Sequence, residues 1–412
     1  MSMSHALNTT TFGHAMLSNF LLDPSYLNLN HGSFGTAAKP VLEAQHNYVL
    51  QQEARPDIWF RETYKTLIAS TRERVSAEVG LPSADNLVLL ENASAAVNAI
   101  FRSLSLKPGD IFVYFSTAYG MVKNTAAFLE IDKGIKILEV QVKVPITSTA
   151  SLLDPMHEAL ESLSAEEQAK VRIATFSHIS SVPAFIEPIK ELTEIVKSIN
   201  PSALVLVDAA HAIGQIPVDI PSLGPIDYYL SNAHKWLYAP KGSAFLWTNP
   251  SQIDSVRPQP SVISSENDVA GGTDYLTRFG YTGTKDFTAY LSIADSLDFR
   301  DSLEATNGKG SIIEYTNGLA KWAGDYLSSK WKTSRLSPPE FEAALFNVVL
   351  PTTDYKRATD LQTYLLNEYG IYMLALLDEP TSIVYTRLSA QIYLERDDFV
   401  KVGDLVLDFL SK

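Results

Sequence analysis

Leu204-Val205-Leu206-Val207-Asp208 and, further on, Tyr228-Tyr229-Leu230-Ser231-Asn232-Ala233-His234-Lys235-Trp236 decide how this chain is read. Each opens on a short apolar run and closes on polar residues. Runs of that length, bounded by polar residues, read as buried strands rather than helices. The first delivers a carboxylate at its end, and the second a lysine just past its end. A carboxylate ending an apolar run is costly to bury unless it meets a cation. The two runs therefore mark one edge of a sheet as a chemical site.

Outward from that pair, apolar runs alternate with helical periodicity. Strands are expected at 87–90, 111–115, 135–140, 171–176, 203–207, 226–230 and 244–247. Helices are expected at 94–104, 121–129, 155–163 and 189–199. Such alternation predicts an α/β fold with a mostly parallel, doubly wound sheet of seven strands. Ligands of such sheets sit beyond the carboxyl ends of the strands. Residues 38–78 read as helices interrupted at Pro56. The stretch 251–290, rich in Gly, Ser, Asp and Thr, reads as a long functional loop. Beyond it come helices at 291–303 and 312–327, a strand at 345–350, a helix at 360–369, a strand at 383–388 and a last helix opening at Asp397 or Asp398. This organisation predicts an N-terminal arm (1–37, with a short helix at 15–21), a large domain (38–290) and a smaller C-terminal α/β domain (291–412).

The chain has 412 residues, 46% of them hydrophobic and 19% charged, a globular profile. Its formal net charge of -14, with no basic run, disfavours nucleic acid as a partner. It contains no cysteine, which removes disulfides, thiolate metal sites and any cysteine nucleophile. No His-Glu-x-x-His, P-loop, Gly-x-Gly-x-x-Gly or Gly-x-Ser-x-Gly pattern is present, and no metal site is expected. No stretch reaches the length of a membrane span, and the first twenty residues lack a secretory pattern, so a cytoplasmic protein is expected.

The Asp208 and Lys235 pair has the chemistry that pyridoxal 5'-phosphate demands. A lysine amine condenses with its aldehyde, and a carboxylate keeps its pyridine nitrogen protonated so that the ring accepts electrons. Four further segments follow strands. Glu91-Asn92-Ala93-Ser94 opens a helix, where free N–H groups and a hydroxyl favour a phosphate. Thr117-Ala118-Tyr119-Gly120 offers Tyr119 as a ring to lie over a flat cofactor and a hydroxyl to move protons. Ser177-His178-Ile179-Ser180-Ser181 offers hydroxyls to a ring oxygen, and His211 follows Asp208 within one turn. Arg387, ending an apolar run, and Arg55, in Glu53-Ala54-Arg55-Pro56, are candidates for a substrate carboxylate, which favours a planar guanidinium.

These motifs together resemble the class V aminotransferase branch of the fold-type I pyridoxal phosphate enzymes. The likeness is strongest to the isopenicillin N epimerase-like group, with its fungal ergothioneine-pathway C–S lyases (hercynylcysteine sulfoxide lyases) and loline-pathway enzymes. It is carried by Leu22-Asp23-Pro24-Ser25-Tyr26-Leu27-Asn28-Leu29-Asn30-His31-Gly32-Ser33-Phe34-Gly35, by Asp208-Ala209-Ala210-His211, by Ser231 through Leu237, by Gly283-Thr284 and by Arg387-Leu388-Ser389-Ala390-Gln391. The resemblance implies the fold-type I architecture, with Lys235 binding the cofactor aldehyde, Asp208 facing the ring nitrogen and Tyr119 on the ring. It implies Ala93, Ser94, Asn232 and His234 around the phosphate. Gly283 and Thr284 would reach the phosphate of a neighbouring subunit, making a homodimer with shared active sites. Arg387 would grip the α-carboxylate, with His31 and Ser33 on the substrate side.

The implied activity is β-elimination from an S-substituted cysteine or cysteine sulfoxide, of the hercynylcysteine sulfoxide lyase kind. The same residues serve an amino-acid epimerase, an aminotransferase or a γ-substitution enzyme of secondary metabolism. A non-catalytic binding protein on the same fold is a more remote alternative. The absence of cysteine excludes a persulfide-forming desulfurase, which needs a thiol to accept sulfur.

Overall fold

The computed structural model describes residues 11–268 and 272–412. The first ten residues of the expected arm, and 269–271 of the expected loop, lie outside the described residues. The strands, in chain order, are β1 (Leu27–Asn28), β2 (Leu87–Leu90), β3 (Ile111–Phe115), β4 (Lys136–Val140), β5 (Val171–Ser177), β6 (Leu204–Asp208), β7 (Tyr228–Asn232), β8 (Ala244–Thr248), β9 (Leu345–Val349), β10 (Ile371–Tyr372), β11 (Leu374–Asp378) and β12 (Ile383–Ser389).

Seven strands form the main sheet, in the order β2-β8-β7-β6-β5-β3-β4. β7, β6, β5, β3 and β4 run parallel, and β8 runs antiparallel to both β7 and β2. Alternate residues enter different cores: Val205 and Val207 one, Leu204 and Leu206 the other. That double burial is why the strands read as unbroken apolar runs. The carboxyl ends of β2, β3, β5, β6 and β7 share one edge, and the site is built there.

A third core surrounds the antiparallel sheet β11-β12-β9 and the helices Ser311–Trp331, Tyr355–Tyr369 and Arg396–Leu410. Met16, Phe20, Leu29, Ala38 and Val41 pack into this same core, so the N-terminal segment crosses to the C-terminal side. The helix Thr288–Asn307 joins the cores, with Leu291 and Leu297 in one and Phe299 and Leu303 in the other. Buried polar bonds hold them together. Asn347 exchanges two bonds with the backbone of Ala184, at 3.0 and 2.7 Å, and Gln215 Oε1 accepts from Leu345 N–H at 2.9 Å. Among the described residues no helix is long and apolar enough to cross a membrane.

Several boundaries differ from the sequence expectation, each for a local reason. The helix expected from Pro155 starts at Ala150, because Leu152, Met156 and Leu160 make one buried stripe that carries it through the proline. The helix expected from Asp360 starts at Tyr355, where Asp354 accepts from Arg357 N–H at 3.1 Å. Among its described residues the stretch 251–290 holds two short helices, Pro250–Ser255 and Tyr275–Gly280, capped by Asn249 and Asp274, and the start of a third, Thr288–Asn307. β11 has no counterpart in the sequence expectation.

Candidate active site

β6 lies between β5 and β7, so the sheet ladder fixes where Asp208 emerges. The carboxylate is buried, and its Oδ1 accepts from Ala210 N–H at 3.0 Å. Burial raises its pKa, opposed by the Ala210 bond and by the charge of Lys235. Behind it lies an acid that the sequence reading missed. Glu187 is fully buried, its Oε2 accepts from Ser177 N–H at 3.0 Å, and burial raises its pKa well above the carboxylate range, with Asp208 adding to the effect. Its one sequence signal was a carboxylate set in the apolar run Ala184-Phe185-Ile186.

β7 leads into a single helical turn, Ala233–Trp236, that presents Lys235. The Lys235 amine lies 2.9 Å from His211 Nε2. Burial lowers the lysine pKa to about 8, with Arg387 pushing the same way and Asp208 opposing. His211 is buried within the turn after β6 and held far below the usual histidine pKa, chiefly by burial and then by the charge of Lys235. Gly35 meets this turn with φ +66°, and a Cβ there would overlap the His234 carbonyl oxygen. His234 Nδ1 donates to Ser243 O at 2.9 Å.

The helix Ala93–Phe101 begins beside it. Asn92, not Ser94, is its cap, accepting from Ala95 N–H at 2.9 Å. Asn232 Oδ1 accepts from Ala93 N–H at 2.9 Å, tying this helix start to the lysine turn. Ser94 follows half-buried at the second helical position. Tyr119 stands where β3 gives way to the helix Gly120–Lys133 and is 54% exposed. Ser180 is fully buried, and its Oγ has no protein partner among the described residues.

Arg387 reaches the site from β12. Its Nη1 donates to Ser181 O at 2.9 Å, and its Nη2 to Asn30 Oδ1 and Ser33 Oγ, each at 2.7 Å. All three acceptors are neutral, and Nε is buried without a partner among the described residues. Burial pushes this guanidinium down to about 10. A buried cation held only by neutral groups favours the arrival of an anion.

His31 departs from its expected place on the substrate side. It is fully buried, Nε2 donates to Lys235 O at 2.6 Å, and Nδ1 accepts from Tyr393 O–H at 2.9 Å, so both nitrogens brace the lysine turn. Ser33, also expected on the substrate side, accepts from Arg387 through its hydroxyl. Arg55 is exposed between the helices Lys39–Ala54 and Pro56–Ile58, with no bond to these residues. Thr284 lines a cavity of about 620 Å³ with Tyr64, Arg72 and Tyr281, none of whose lining residues is Lys235, Asp208 or Arg387. The neighbouring Lys285 approaches Glu91, just before Asn92, at 3.6 Å. Asn30 was not singled out for a role, although it opens the glycine-spaced segment ending at Gly35.

The donor set fits pyridoxal 5'-phosphate. It offers an amine of lowered pKa, a buried carboxylate with one N–H partner, a helix start for the phosphate, and an unpaired buried hydroxyl at Ser180. The model of the family described as "Aminotransferase class-V" matches residues 33–375. The chain is 28% identical over 402 residues to a probable L-cysteine desulfhydrase, chloroplastic, of Arabidopsis thaliana, covering 93% of this chain and 83% of that one. It is 25% identical to the hercynylcysteine sulfoxide lyase of Schizosaccharomyces pombe, covering 97% and 98%. Its fold is similar to that of a cystine C–S lyase solved with its product cysteine persulfide, with a TM-score of 0.76 at 15% identity, covering 96% and 99%. Fold, site chemistry and family match agree: this chain belongs to the class V aminotransferase family and takes pyridoxal 5'-phosphate as its cofactor.

Proposed function

We propose that this protein is a C–S lyase that removes the sulfur substituent from an S-substituted cysteine or cysteine sulfoxide by β-elimination, with a hercynylcysteine sulfoxide of the ergothioneine type as its substrate. The observation that carries the reading is Arg387, a buried guanidinium held by neutral acceptors on the same site as the Lys235 amine. An α-amino acid supplies the carboxylate that this cation lacks. The bound cofactor supplies an electron sink for the pair left when the α-proton departs.

The protein's own residues then have separate tasks. Arg387 holds the carboxylate and so fixes which bond at Cα points toward Lys235. Lys235, with its pKa near 8, is the base for the α-proton. Asp208 would serve the ring nitrogen as a counter-charge, and Ser94 with the start of its helix would hold the phosphate. Tyr119 gives a proton to the departing sulfur. Loss of the α-proton and of the sulfur leaves an aminoacrylate, which water converts to pyruvate and ammonia. With no cysteine in the chain, sulfur leaves in the product rather than as a protein persulfide. The desulfhydrase and lyase names of the relatives support this reading.

The proposal includes a cytoplasmic homodimer, in which Gly283 and Thr284 serve the neighbouring subunit's phosphate. In support, Thr284 lines a cavity whose lining includes none of Lys235, Asp208 and Arg387. Incubation of the cofactor-loaded protein with S-substituted cysteine sulfoxides should release pyruvate and a sulfur product in equal amounts. Recovery of racemised or transaminated substrate, with no pyruvate, would overturn elimination.

A further inference from the structure

We propose that Trp236 is a positioning residue that fixes the ring tautomer of His211, so that the histidine presents Nε2–H to Lys235 and favours the free-amine form of the lysine over the ammonium. The geometry is a relay of two consecutive contacts through three side chains. Trp236 Nε1–H donates to His211 Nδ1 at 3.3 Å. An indole nitrogen only donates, so Nδ1 must carry a lone pair. In a neutral imidazole the proton then sits on Nε2, the atom 2.9 Å from the Lys235 amine. An Nε2–H pointing at that amine needs a lone pair there, which an ammonium does not have.

Two features keep the relay in this state. Protonated His211 would carry a proton on Nδ1 and face the indole N–H with a donor. Burial and the Arg387 guanidinium from β12 also oppose a positive imidazole; Lys235 as a free amine and His234, which burial keeps neutral, add no charge there, and Asp208 is the acid of the same turn. The indole itself is confined. It packs with Ala184, Ala344 and Leu345, its backbone carbonyl accepts from Arg300 Nη1 at 3.2 Å, and Gly32 and Gly214 lie so near that a Cβ on either would come within 3.0 Å of Trp236. Direct succession of Lys235 and Trp236 places the reactive amine and the group that sets its partner's tautomer on one short turn.

The tautomer stands independently of the substrate assigned above. Only its consequence rests on Lys235 being the reactive amine. The test uses the full-length protein labelled with 15N-histidine, before and after loading with pyridoxal 5'-phosphate. His211, assigned through His211→Asn, should show a single neutral form protonated at Nε2 in both states. Trp236→Phe keeps the ring and deletes the N–H. It should give mixed tautomers and slow acylation of Lys235 in the cofactor-free protein, read by mass spectrometry at neutral pH, by about tenfold for each unit its pKa rises. His211 protonated at Nδ1 in the unaltered protein overturns the proposal, and needs no variant to fold. So does a folded Trp236→Phe protein in which either the tautomer or the Lys235 acylation rate is unchanged. Neither result touches the lyase assignment, which pyruvate release tests separately.

Discussion

Lys235 and Arg387 are two basic groups buried in one site, and each carries a different consequence of burial. For the lysine, the folded value of about 8 lies below the usual 10.5 because burial disfavours charge more than Asp208 restores it. Between those two values the unfolded chain binds the extra proton, so this group adds stability as pH rises through the window and opposes folding below it. The same shift predicts reactivity. Uptake of pyridoxal phosphate by the cofactor-free protein should accelerate with pH and level off just above pH 8, followed by the growth of the cofactor's visible absorption. A plateau delayed to the range of an exposed lysine would contradict the buried amine. For Arg387 the consequence is geometric. Arg387→Lys keeps a charge but gives up the planar fork that spans Ser181, Asn30 and Ser33. With a charge-assisted bond worth about 1.5–3 kcal/mol, KM for the amino acid should rise by about 10- to 100-fold, while binding of the cofactor alone stays as it was. A weakened cofactor with unchanged KM would assign Arg387 elsewhere.

At the level of elements, the site is a set of strand ends and the short turns that follow them. Turns of this kind depend on backbone more than on side-chain volume. Gly35 shows it: with φ +66° and the His234 carbonyl against its Cα, Gly35→Ala must displace the lysine turn or leave the left-handed region. The variant should lose about 2 kcal/mol or more in denaturant unfolding and hold pyridoxal phosphate more weakly; a variant of full stability and full cofactor content would show that the turn tolerates displacement. The same distinction explains what the sequence disclosed. β2 and β3 have the expected limits, because strands buried on both faces are uninterrupted apolar runs. Asp208 and Lys235 stand out in the sequence because they break such runs at their ends, and the structure brings the two within electrostatic reach of each other. β11 was not legible: in Leu374–Asp378 only Ala375 is fully buried, and its register comes from pairing with β12. His31 was assigned to the substrate from its motif. Its actual partners, Lys235 O and Tyr393 O–H, lie 204 and 362 residues away, and no local pattern records them.

Across the whole molecule, the site draws on both sides of the fold. Asp208, Lys235 and Ser180 come from the seven-stranded sheet and the segments that follow its strands, whereas Arg387 and Asn30 come from the side of the fold that gathers the N-terminal segment with the last hundred residues. The bonds from Asn347 to Ala184 and from Leu345 to Gln215 place the contact between the two sides within a few residues of Ser181 and His211. A ligand bound there is therefore linked to the folding of both. Cofactor that binds only the native state, at a hundred times its dissociation constant, adds about 2.7 kcal/mol. Removal of pyridoxal phosphate should lower Tm by several degrees, and return of the cofactor should restore it. An unreactive amino acid added to the loaded protein should raise Tm again, because its carboxylate engages Arg387 on β12 while its amine lies beside residues of the main sheet. Arg387→Lys should abolish much of that second increment and leave the first. Calorimetric scans of the cofactor-free, loaded and amino-acid-bound states of both proteins separate the two contributions. A second increment that survives in Arg387→Lys would mean that the substrate stabilises the sheet alone, and that the two cores meet at the site without being coupled through it.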